Sequence, residues 1–393
     1  MGATEDRLAE YRDKRDPGLT NEPFPATVNK PTGGRGRFVV HHHAASRTHY
    51  DLRLECDGVL LSFAVPKGPS LHPGQKRLAV RTEDHPLEYL TFEDVIPEGS
   101  YGAGAMIVWD LGLVRHLEAP VERALAEGKL DFVLEGRKLR GRFALIHTGK
   151  RKPQSQAQWL LIKKQDEAAR TAEEPEIVDQ ERQSVLSGLS VEQRKDAAAL
   201  VLRLGNEALE AGASRGPVHA ANLKPMLCAA RGARLDDRAR LYELKLDGVR
   251  ILADCSRSGS VLRYRSGRDA TEAYPDVVLA LDRLSAPRAL LDGEIVAFDE
   301  TGRPNFQRLG RRIGVERARD VARLTIEVPV VFMAFDILAL GEVDLRPLPL
   351  HRRKAILAQL VPGKGIVRTL AHLVGDGTPL MAFCDAHELE GVV

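Results

Sequence analysis

His49-Tyr-Asp-Leu-Arg-Leu-Glu55 alternates without interruption: His, Asp, Arg and Glu fall on one parity, Tyr and the two leucines on the other. Successive side chains of a strand point to opposite faces, so this spacing predicts a half-buried strand whose polar face carries a row of functional groups. Asp57-Gly58 then turns the chain into Val59–Val65, which places the row on a hairpin. Four of the twelve histidines (His41, His42, His43 and His49) lie within nine residues. His43 has the parity of His49 and Asp51, and Ala44–Thr48 is expected to loop between them. Two imidazoles and a carboxylate on one face form a competent divalent-metal site, and such nitrogen and oxygen ligands suit Mn, Fe or Zn. Arg53 beside a metal would hold an anionic oxygen, as phosphoester hydrolysis requires. The plainer alternative is a strand with an ordinary wet face. Lys67, Arg77, His85 and Tyr89 weigh against it, because they follow in polar, Pro/Gly-punctuated segments and add phosphate-binding groups.

Working outward, the 393 residues leave room for two or three domains. No apolar run approaches the roughly 18 residues that a membrane span needs. Met1-Gly-Ala-Thr-Glu-Asp is polar and acidic, without the apolar core of a signal peptide, and the expected location is the cytosol. The four cysteines form no CxxC pair, so neither a disulfide framework nor a zinc ribbon is indicated. A net charge of +2 does not by itself announce nucleic acid. Gly34-Arg-Gly-Arg37, Arg137-Lys-Leu-Arg-Gly-Arg142 and Lys150-Arg-Lys152 are local basic runs that fit either a phosphate backbone or an ordinary solvated surface.

Residues 1–30 read as a polar arm with a short helical start. From Phe38 to about Lys164, short alternating segments read as mostly β. Residues 166–196 carry nine acidic against four basic residues and read as a linker with transient helix. Val191–Ala211 is Ala/Leu-rich and predicts a helix, ended by Gly212–Pro217. A second domain opens near Leu223-Lys-Pro225, with strands expected at Tyr242–Lys245, Arg250–Asp254 and Leu290–Phe298, and helices at Tyr274–Leu284 and Leu350–Leu360.

That second region holds Glu243-Leu-Lys-Leu-Asp-Gly-Val-Arg250. Leucines on both sides of Lys245 are expected to desolvate its ammonium group and lower its pKa, giving a nucleophilic amine. Asp247-Gly248 supplies a tight turn, and Arg250 a fixed cation suited to phosphate. Covalent nucleotidyl transfer fits these residues; so does a strand ending in an Asp-Gly hairpin with Lys245 merely solvated.

With these residues in view, two resemblances emerge. Phe38-Val-Val, His43, His49-Tyr-Asp-Leu-Arg-Leu-Glu55, Asp-Gly-Val-Leu and Ala64-Val-Pro-Lys-Gly-Pro-Ser70 closely resemble the 3′-phosphoesterase module of bacterial ligase D, over about Tyr11 to Lys164. The resemblance implies a compact β-barrel with a Mn-dependent centre that removes 3′-phosphates and 3′-ribonucleotides from DNA ends. It implies His43, His49 and Asp51 as metal ligands. Arg53 and His85 would be catalytic, and would join Lys67 and Arg77 in a phosphate clamp with Tyr89 close by. Arg15, Asp16 and Glu22 of the arm would complete the site. The family pattern has Gln-Lys where this chain has His41-His42, so His41 offers either a hydrogen bond or a metal ligand.

Lys245, Arg265-Ser-Gly267, Leu291-Asp-Gly-Glu-Ile-Val296, Phe332-Met-Ala-Phe-Asp-Ile-Leu338 and Glu388-Leu-Glu-Gly-Val-Val393 together resemble the nucleotidyltransferase core of ATP-dependent DNA ligases. Asp344-Leu-Arg, Pro-Leu350 and Arg352-Arg353 resemble the ligase D branch. The resemblance implies that Lys245 attacks the α-phosphorus of ATP with Mg or Mn present. Glu294 and Glu390 would orient metal and ribose, Phe335 would stack on adenine with Glu243 beside it, and Arg250 and Arg265 would contact phosphate or ribose. The expected architecture is α+β with two domains. A β-barrel-like phosphoesterase would occupy residues 1–165 and a partly helical linker 166–220. An antiparallel-sheet, ATP-grasp-like nucleotidyltransferase would occupy 221–393, without the OB-fold that follows in the family. The family's next lysines, which contact ATP phosphates, would lie beyond Val393, so nick sealing by these residues alone is expected to be impaired. DNA ends and nicks are the implied substrates, with Ku and a polymerase module as partners and no membrane. The alternatives are an end-healing phosphoesterase with a ligase remnant, and a DNA-end-binding scaffold without catalysis.

Overall fold

A computed structural model describes the chain except residues 1–5, 26–35, 119, 150–156, 230, 231 and 233. Of the basic runs that fit either a phosphate backbone or a solvated surface, Lys150-Arg-Lys152 and the first half of Gly34-Arg-Gly-Arg37 fall outside the described residues. The chain divides into two compact units, one formed by residues 1–185 and 189–195 and the other by 186–188 and 196–393.

In the first unit the strands are β1 (Gly36–Ala44), β2 (Thr48–Cys56), β3 (Val59–Val65), β4 (Lys76–Arg81), β5 (Asp94–Ile96), β6 (Gly104–His116), β7 (Lys129–Gly136), β8 (Arg140–His147) and β9 (Gln158–Lys163). They pair in the order β1-β2-β3-β4-β9-β8-β7-β6-β5, and β1 also pairs with β6. That additional ladder closes eight antiparallel strands into a barrel, with β5 attached outside the ring. A barrel of this size has an interior just wide enough to be filled by side chains. Phe38, Val40, Leu52, Leu54, Phe63, Trp109, Phe132 and Phe143 fill it, none more than 1% exposed. Tyr50, Leu52 and Leu54 of β2 thus face inward, and His49, Asp51, Arg53 and Glu55 face outward.

The outward row departs from expectation in one respect: it is not wet. β2 is buried from Tyr50 to Cys56. The covering comes from the arm, where Tyr11 is 0% and Glu22 5% exposed, and from the segment holding His85 and Tyr89, at 3% and 1%. The acidic stretch expected as a linker is, up to Val185, part of this unit. Ile177 packs into the barrel core, Arg170 N donates to Leu71 O (2.9 Å), and Val185 N donates to Val108 O (2.9 Å). The predicted helix is present as Val191–Glu210.

The second unit is built on a sheet ordered β10-β16-β15-β14-β12-β13, from β10 (Ser214–Arg215), β12 (Val249–Ser256), β13 (Val261–Tyr264), β14 (Arg288–Ala297), β15 (Val330–Leu340) and β16 (Val343–Asp344). β17 (Val367–Thr369) adds to β15 in parallel. A separate pair joins β11 (Leu241–Glu243) to β18 (His372–Val374). Val393 exchanges backbone bonds with Glu243 (2.8 and 2.9 Å) on the other side of β11. The expected helices occur at Pro275–Leu281, shorter than predicted, and at Leu350–Leu360. The β14–β15 register shifts between Asp292 and Gly293. A Cβ at Gly293 would lie 2.6 Å from Met333 O and from the Phe332 ring, so only glycine fits at this irregularity.

Candidate active sites

The hairpin of β1 and β2 sets His43 opposite His49 and His41 opposite Asp51. The expected loop is shorter than Ala44–Thr48, since Ala44 and Thr48 themselves pair, and the hairpin brings the parity match into direct contact. Ligand atoms of His43, His49 and Asp51 lie within 4.8 Å of one another. His43 Nε2 is 2.9 Å from Gly102 O, and His49 Nδ1 is 2.8 Å from Arg47 O. A carbonyl only accepts, so both of these ring nitrogens carry hydrogen. The opposite nitrogens, His43 Nδ1 and His49 Nε2, then turn toward Asp51 at 3.8 and 3.4 Å. Neutral imidazoles in these tautomers direct two lone pairs and a carboxylate at one small volume, the donor set a divalent cation needs. Burial opposes charge on His49, but Asp51 outweighs it and raises the imidazole's pKa above its ordinary value. Burial also disfavours the Asp51 carboxylate, yet Arg53, His43 and His49 together hold its pKa well below the usual range.

Next to this trio lies a second layer rich in guanidinium groups. Arg53 Nη1 donates to His41 Nδ1 (2.6 Å), and its Nη2 reaches Asp51 (3.2 Å) and His85 Nε2 (3.4 Å). Its Nε is buried without a partner. Arg15 donates to Glu22 (2.8 Å) and Glu83 (3.0 Å), and its Nη2 lies 3.3 Å from His85 Nε2. His85 Nδ1 faces the Glu83 carbonyl at 3.0 Å and so carries the hydrogen, leaving the Nε2 lone pair between two guanidinium groups. Burial, then Arg53 and Arg15, hold His85 well below its ordinary pKa, so it is neutral. Tyr89 donates to Glu22, and its ring lies 4.7 Å from the Arg53 guanidinium.

The remaining expected members make other contacts or are exposed. Arg77 pairs with Glu176 (2.5 Å), on the face of β4 shared with Ala79 of the core, and Lys67 is exposed. Asp16 is exposed and caps a turn through Gly18 N (2.8 Å). His41 is an acceptor for Arg53 and not a member of the trio, while His42 stacks on Tyr50 with ring centroids 4.4 Å apart. Glu83, which joins Lys14 (3.0 Å) and Arg15, was missed by sequence reasoning. Its signal was a carboxylate two residues before His85.

In the second unit Lys245 forms an ion pair with Glu390, and their side chains are 45% and 39% exposed. The leucine flanks therefore do not desolvate it: Leu244 and Leu246 are themselves partly exposed. Lys245 N also donates to Gly391 O (2.9 Å), tying the lysine segment to the last residues. Arg250 lies across from Glu294 on β14. It is already engaged: its guanidinium grips Asp292 at 3.0 and 2.8 Å, donates to Met226 O (2.8 Å) and lies 5.0 Å from the Phe335 ring centroid. The guanidinium expected to contact phosphate or ribose is thus held in a carboxylate clamp. Burial pushes the Glu294 carboxyl up to about 7; Asp292 and Asp247 add to the rise, while Arg250 and Lys245 oppose it. Arg265 is exposed. Glu243 accepts from Lys354, whose Nζ also donates to Phe335 O (2.7 Å), and burial raises the Glu243 pKa against that pairing. Arg353 grips Asp336 at 2.8 Å through both Nε and Nη2. Lys354 was also missed. Its spacing from Leu357 sets it on the buried face of the helix Leu350–Leu360, where a lysine is present only if paired.

Comparison with known proteins agrees with both units. The family described as the DNA ligase D 3′-phosphoesterase domain matches residues 41–147, and the one described as the ATP dependent DNA ligase domain matches 225–380. The multifunctional non-homologous end joining protein LigD of Pseudomonas aeruginosa is 40% identical over 394 residues, covering 98% of this chain and 44% of that protein. The chain belongs to the ligase D family. The corresponding LigD of Mycolicibacterium smegmatis is 34% identical over 396 residues, 99% of this chain and 43% of that protein. A probable DNA ligase of Anaeromyxobacter dehalogenans is 38% identical over 183 residues, 44% of this chain and 34% of that protein. This ligase D chain thus spans less than half the length of the LigD proteins it matches, and carries a phosphoesterase domain and an ATP-dependent ligase domain. Among the described residues no helix is long and apolar enough to cross a membrane.

Proposed function

We propose that this ligase D chain heals DNA 3′ ends by hydrolysing a terminal 3′-phosphate, or trimming a 3′-ribonucleotide, at the outer face of β1 and β2. The observation that carries this reading is the convergence of His43 Nδ1, His49 Nε2 and Asp51, with Arg53 Nε buried beside them and lacking a partner. His43, His49 and Asp51 would hold a divalent cation, for which we propose Mn. A cation held there supplies a water of lowered pKa and charge for the phosphoryl oxygens. The surrounding side chains account for the rest. Arg53 and Arg15 are fixed cations, and a phosphoryl oxygen would satisfy the unpaired Arg53 Nε. Neutral His85 presents an acceptor lone pair toward them. In the reaction a water oxygen bonds to phosphorus, the bond to O3′ breaks, and the leaving oxygen gains a proton, giving a 3′-hydroxyl and inorganic phosphate. Release of phosphate from a 3′-phosphate primer-template, dependent on Mn and lost in His49→Ala, is the expected result. No release with Mn, or full activity in the variant, sinks the reading.

A second activity is favoured by Lys245 and Glu294. We propose that the second unit transfers AMP from ATP to Lys245, with Glu294 and Glu390 orienting Mg or Mn and the ribose, and Phe335 supporting adenine. The Lys245 nitrogen bonds to the α-phosphorus, pyrophosphate leaves, and the amine gives up a proton. The Lys245–Glu390 pair has to open first, because an amine held by a carboxylate is not free to approach phosphorus. Labelling by radioactive ATP that disappears in Lys245→Ala tests it. Non-homologous end joining, named for the relatives, supplies the setting we propose: cytoplasmic DNA ends and nicks, with Ku and a polymerase as partners.

A further inference from the structure

Tyr101 stands apart from the other rings around the barrel site. Tyr11, Tyr89 and Phe92 are 0%, 1% and 6% exposed, whereas Tyr101 is 46% exposed. It occupies a loop held by two successive turns, Ser100 N to Pro97 O (3.2 Å) and Ala103 N to Ser100 O (3.1 Å). Gly102, the next residue, supplies the carbonyl that fixes His43 (2.9 Å). The ring is therefore tied through one peptide unit to a proposed metal ligand. Two cations sit against it, Lys14 Nζ at 5.3 Å and the Arg15 guanidinium at 5.2 Å from the centroid. Both are anchored by carboxylates, Lys14 by Glu10 (2.8 Å) and Glu83 (3.0 Å), Arg15 by Glu22 (2.8 Å) and Glu83 (3.0 Å). Tyr101 thus borders the site with an open ring surface and fixed positive charge beside it.

We propose that Tyr101 is the stacking platform for the base of the 3′-terminal nucleotide, when the phosphate of that nucleotide lies among Arg53, Arg15 and His85. This rests on the phosphoesterase reading and adds to it how a nucleic-acid end is told from other phosphate monoesters. A site made of imidazoles, guanidinium groups and carboxylates grips a phosphate but offers a base nothing to lie on. A partly exposed aromatic ring supplies that surface, and it accepts any base because every base has a π face. The adjacent cations add attraction for the phosphate on the 5′ side of the same nucleotide.

The test measures binding of the full chain, without added metal, to a fluorescent primer-template ending in a 3′-phosphate. The terminal nucleotide carries either a base or none. The wild type is expected to prefer the base-bearing end by about tenfold, the scale of one base stacked on an aromatic ring. Tyr101→Ala should lose the preference, and Tyr101→Phe and Tyr101→Trp should keep it. Equal affinities in the wild type, or a preference that survives in Tyr101→Ala, overturn the proposal. If Tyr101→Ala unfolds, retention of the preference in Tyr101→Phe and its loss in Tyr101→Lys decide the matter. Phosphate release with Mn, measured separately, tests the parent reading. A base preference without turnover removes the phosphoesterase and leaves the stacking, whereas turnover without a preference removes only the stacking.

Discussion

The two candidate sites of this ligase D chain are assembled in opposite ways. In the barrel, Arg15, Arg53 and Asp51 have side chains only 4 to 7% exposed, and main-chain carbonyls fix the tautomers of His43, His49 and His85. In the second unit the proposed nucleophile is half in solvent and tied to Glu390, on the segment that runs into Val393. The barrel site is preorganised by the backbone, so its charges need little rearrangement when a phosphate arrives. The lysine site is held by side-chain pairs that have to be exchanged for substrate. Preorganisation therefore separates the two, although both are proposed to handle phosphoryl groups with a divalent ion.

The sharpest way to break this comparison is to knock out each site alone. His49→Ala should abolish 3′-phosphate release while Lys245 still acquires AMP, and Lys245→Ala should do the reverse. Each loss is expected to be at least about a thousandfold, since one removes a metal ligand and the other the nucleophile. Phosphate release and AMP labelling, assayed on the same two preparations, read the result. Loss of both activities in either variant would show that the two sites do not work independently.

A smaller effect separates geometry from charge. Arg53 contacts His41, Asp51 and His85 through one planar fork, which a lysine ammonium cannot reproduce. Arg53→Lys should therefore lose about 10²- to 10³-fold in phosphate release, close to Arg53→Ala. Near-wild-type turnover in Arg53→Lys would mean that positive charge alone suffices, and the claim of preorganisation would fail.

How much of this was legible in the sequence follows the range of the contacts. The polar row of β2 could be read because a strand has period two, and the hairpin partner could be read by parity. The cover over that row was not legible as packing. It depends on Arg15 meeting Glu83 across 68 residues and Tyr89 meeting Glu22 across 67, which no local pattern announces. Resemblance named Arg15 and Glu22, but not the burial they create. The charge of the stretch from Asp166 hid its anchor, because Ile177 and Val178 are a short apolar pair among many acids, and yet Ile177 lies in the barrel core with Val178 packed against it. At Lys245 local apolarity misled for the reverse reason. Two leucines desolvate a lysine only if the fold packs over them, and here it does not.

Protonation gives a third way to sharpen the contrast. Burial pushes Glu294 up to about 7 from an ordinary 4.5. A carboxyl whose folded pKa is raised keeps its proton more tightly in the folded chain. Its stabilising contribution is complete below about pH 4.5 and is lost as pH rises through about 7. The loss is at most about 3 kcal/mol. Urea unfolding at pH 5 and pH 8 should show Glu294→Gln gaining on the wild type at the higher pH. AMP labelling should rise over the same interval if the ionised carboxylate orients the metal. A wild type and variant that stay parallel across that range would remove the buried, protonated Glu294 from the account.

The smallest expected effect concerns Arg77, where resemblance and geometry disagree most directly. Resemblance makes it part of the phosphate clamp, but its guanidinium pairs with Glu176 and lies on the face of β4 that carries Ala79 of the core. A cation at that remove acts on a phosphate only through its longer-range field, a weaker and more readily screened influence than a direct contact. Arg77→Ala should therefore slow phosphate release by about tenfold, a change of ~1.4 kcal/mol, against the far larger loss at Arg53. Raising the salt concentration should shrink the difference between Arg77→Ala and the wild type, because a screened field is what that variant loses. If Arg77→Ala instead matches Arg53→Ala and the gap persists in high salt, Arg77 must leave Glu176 and reach the substrate. The barrel site would then share with the lysine site the need to exchange an ion pair before it works.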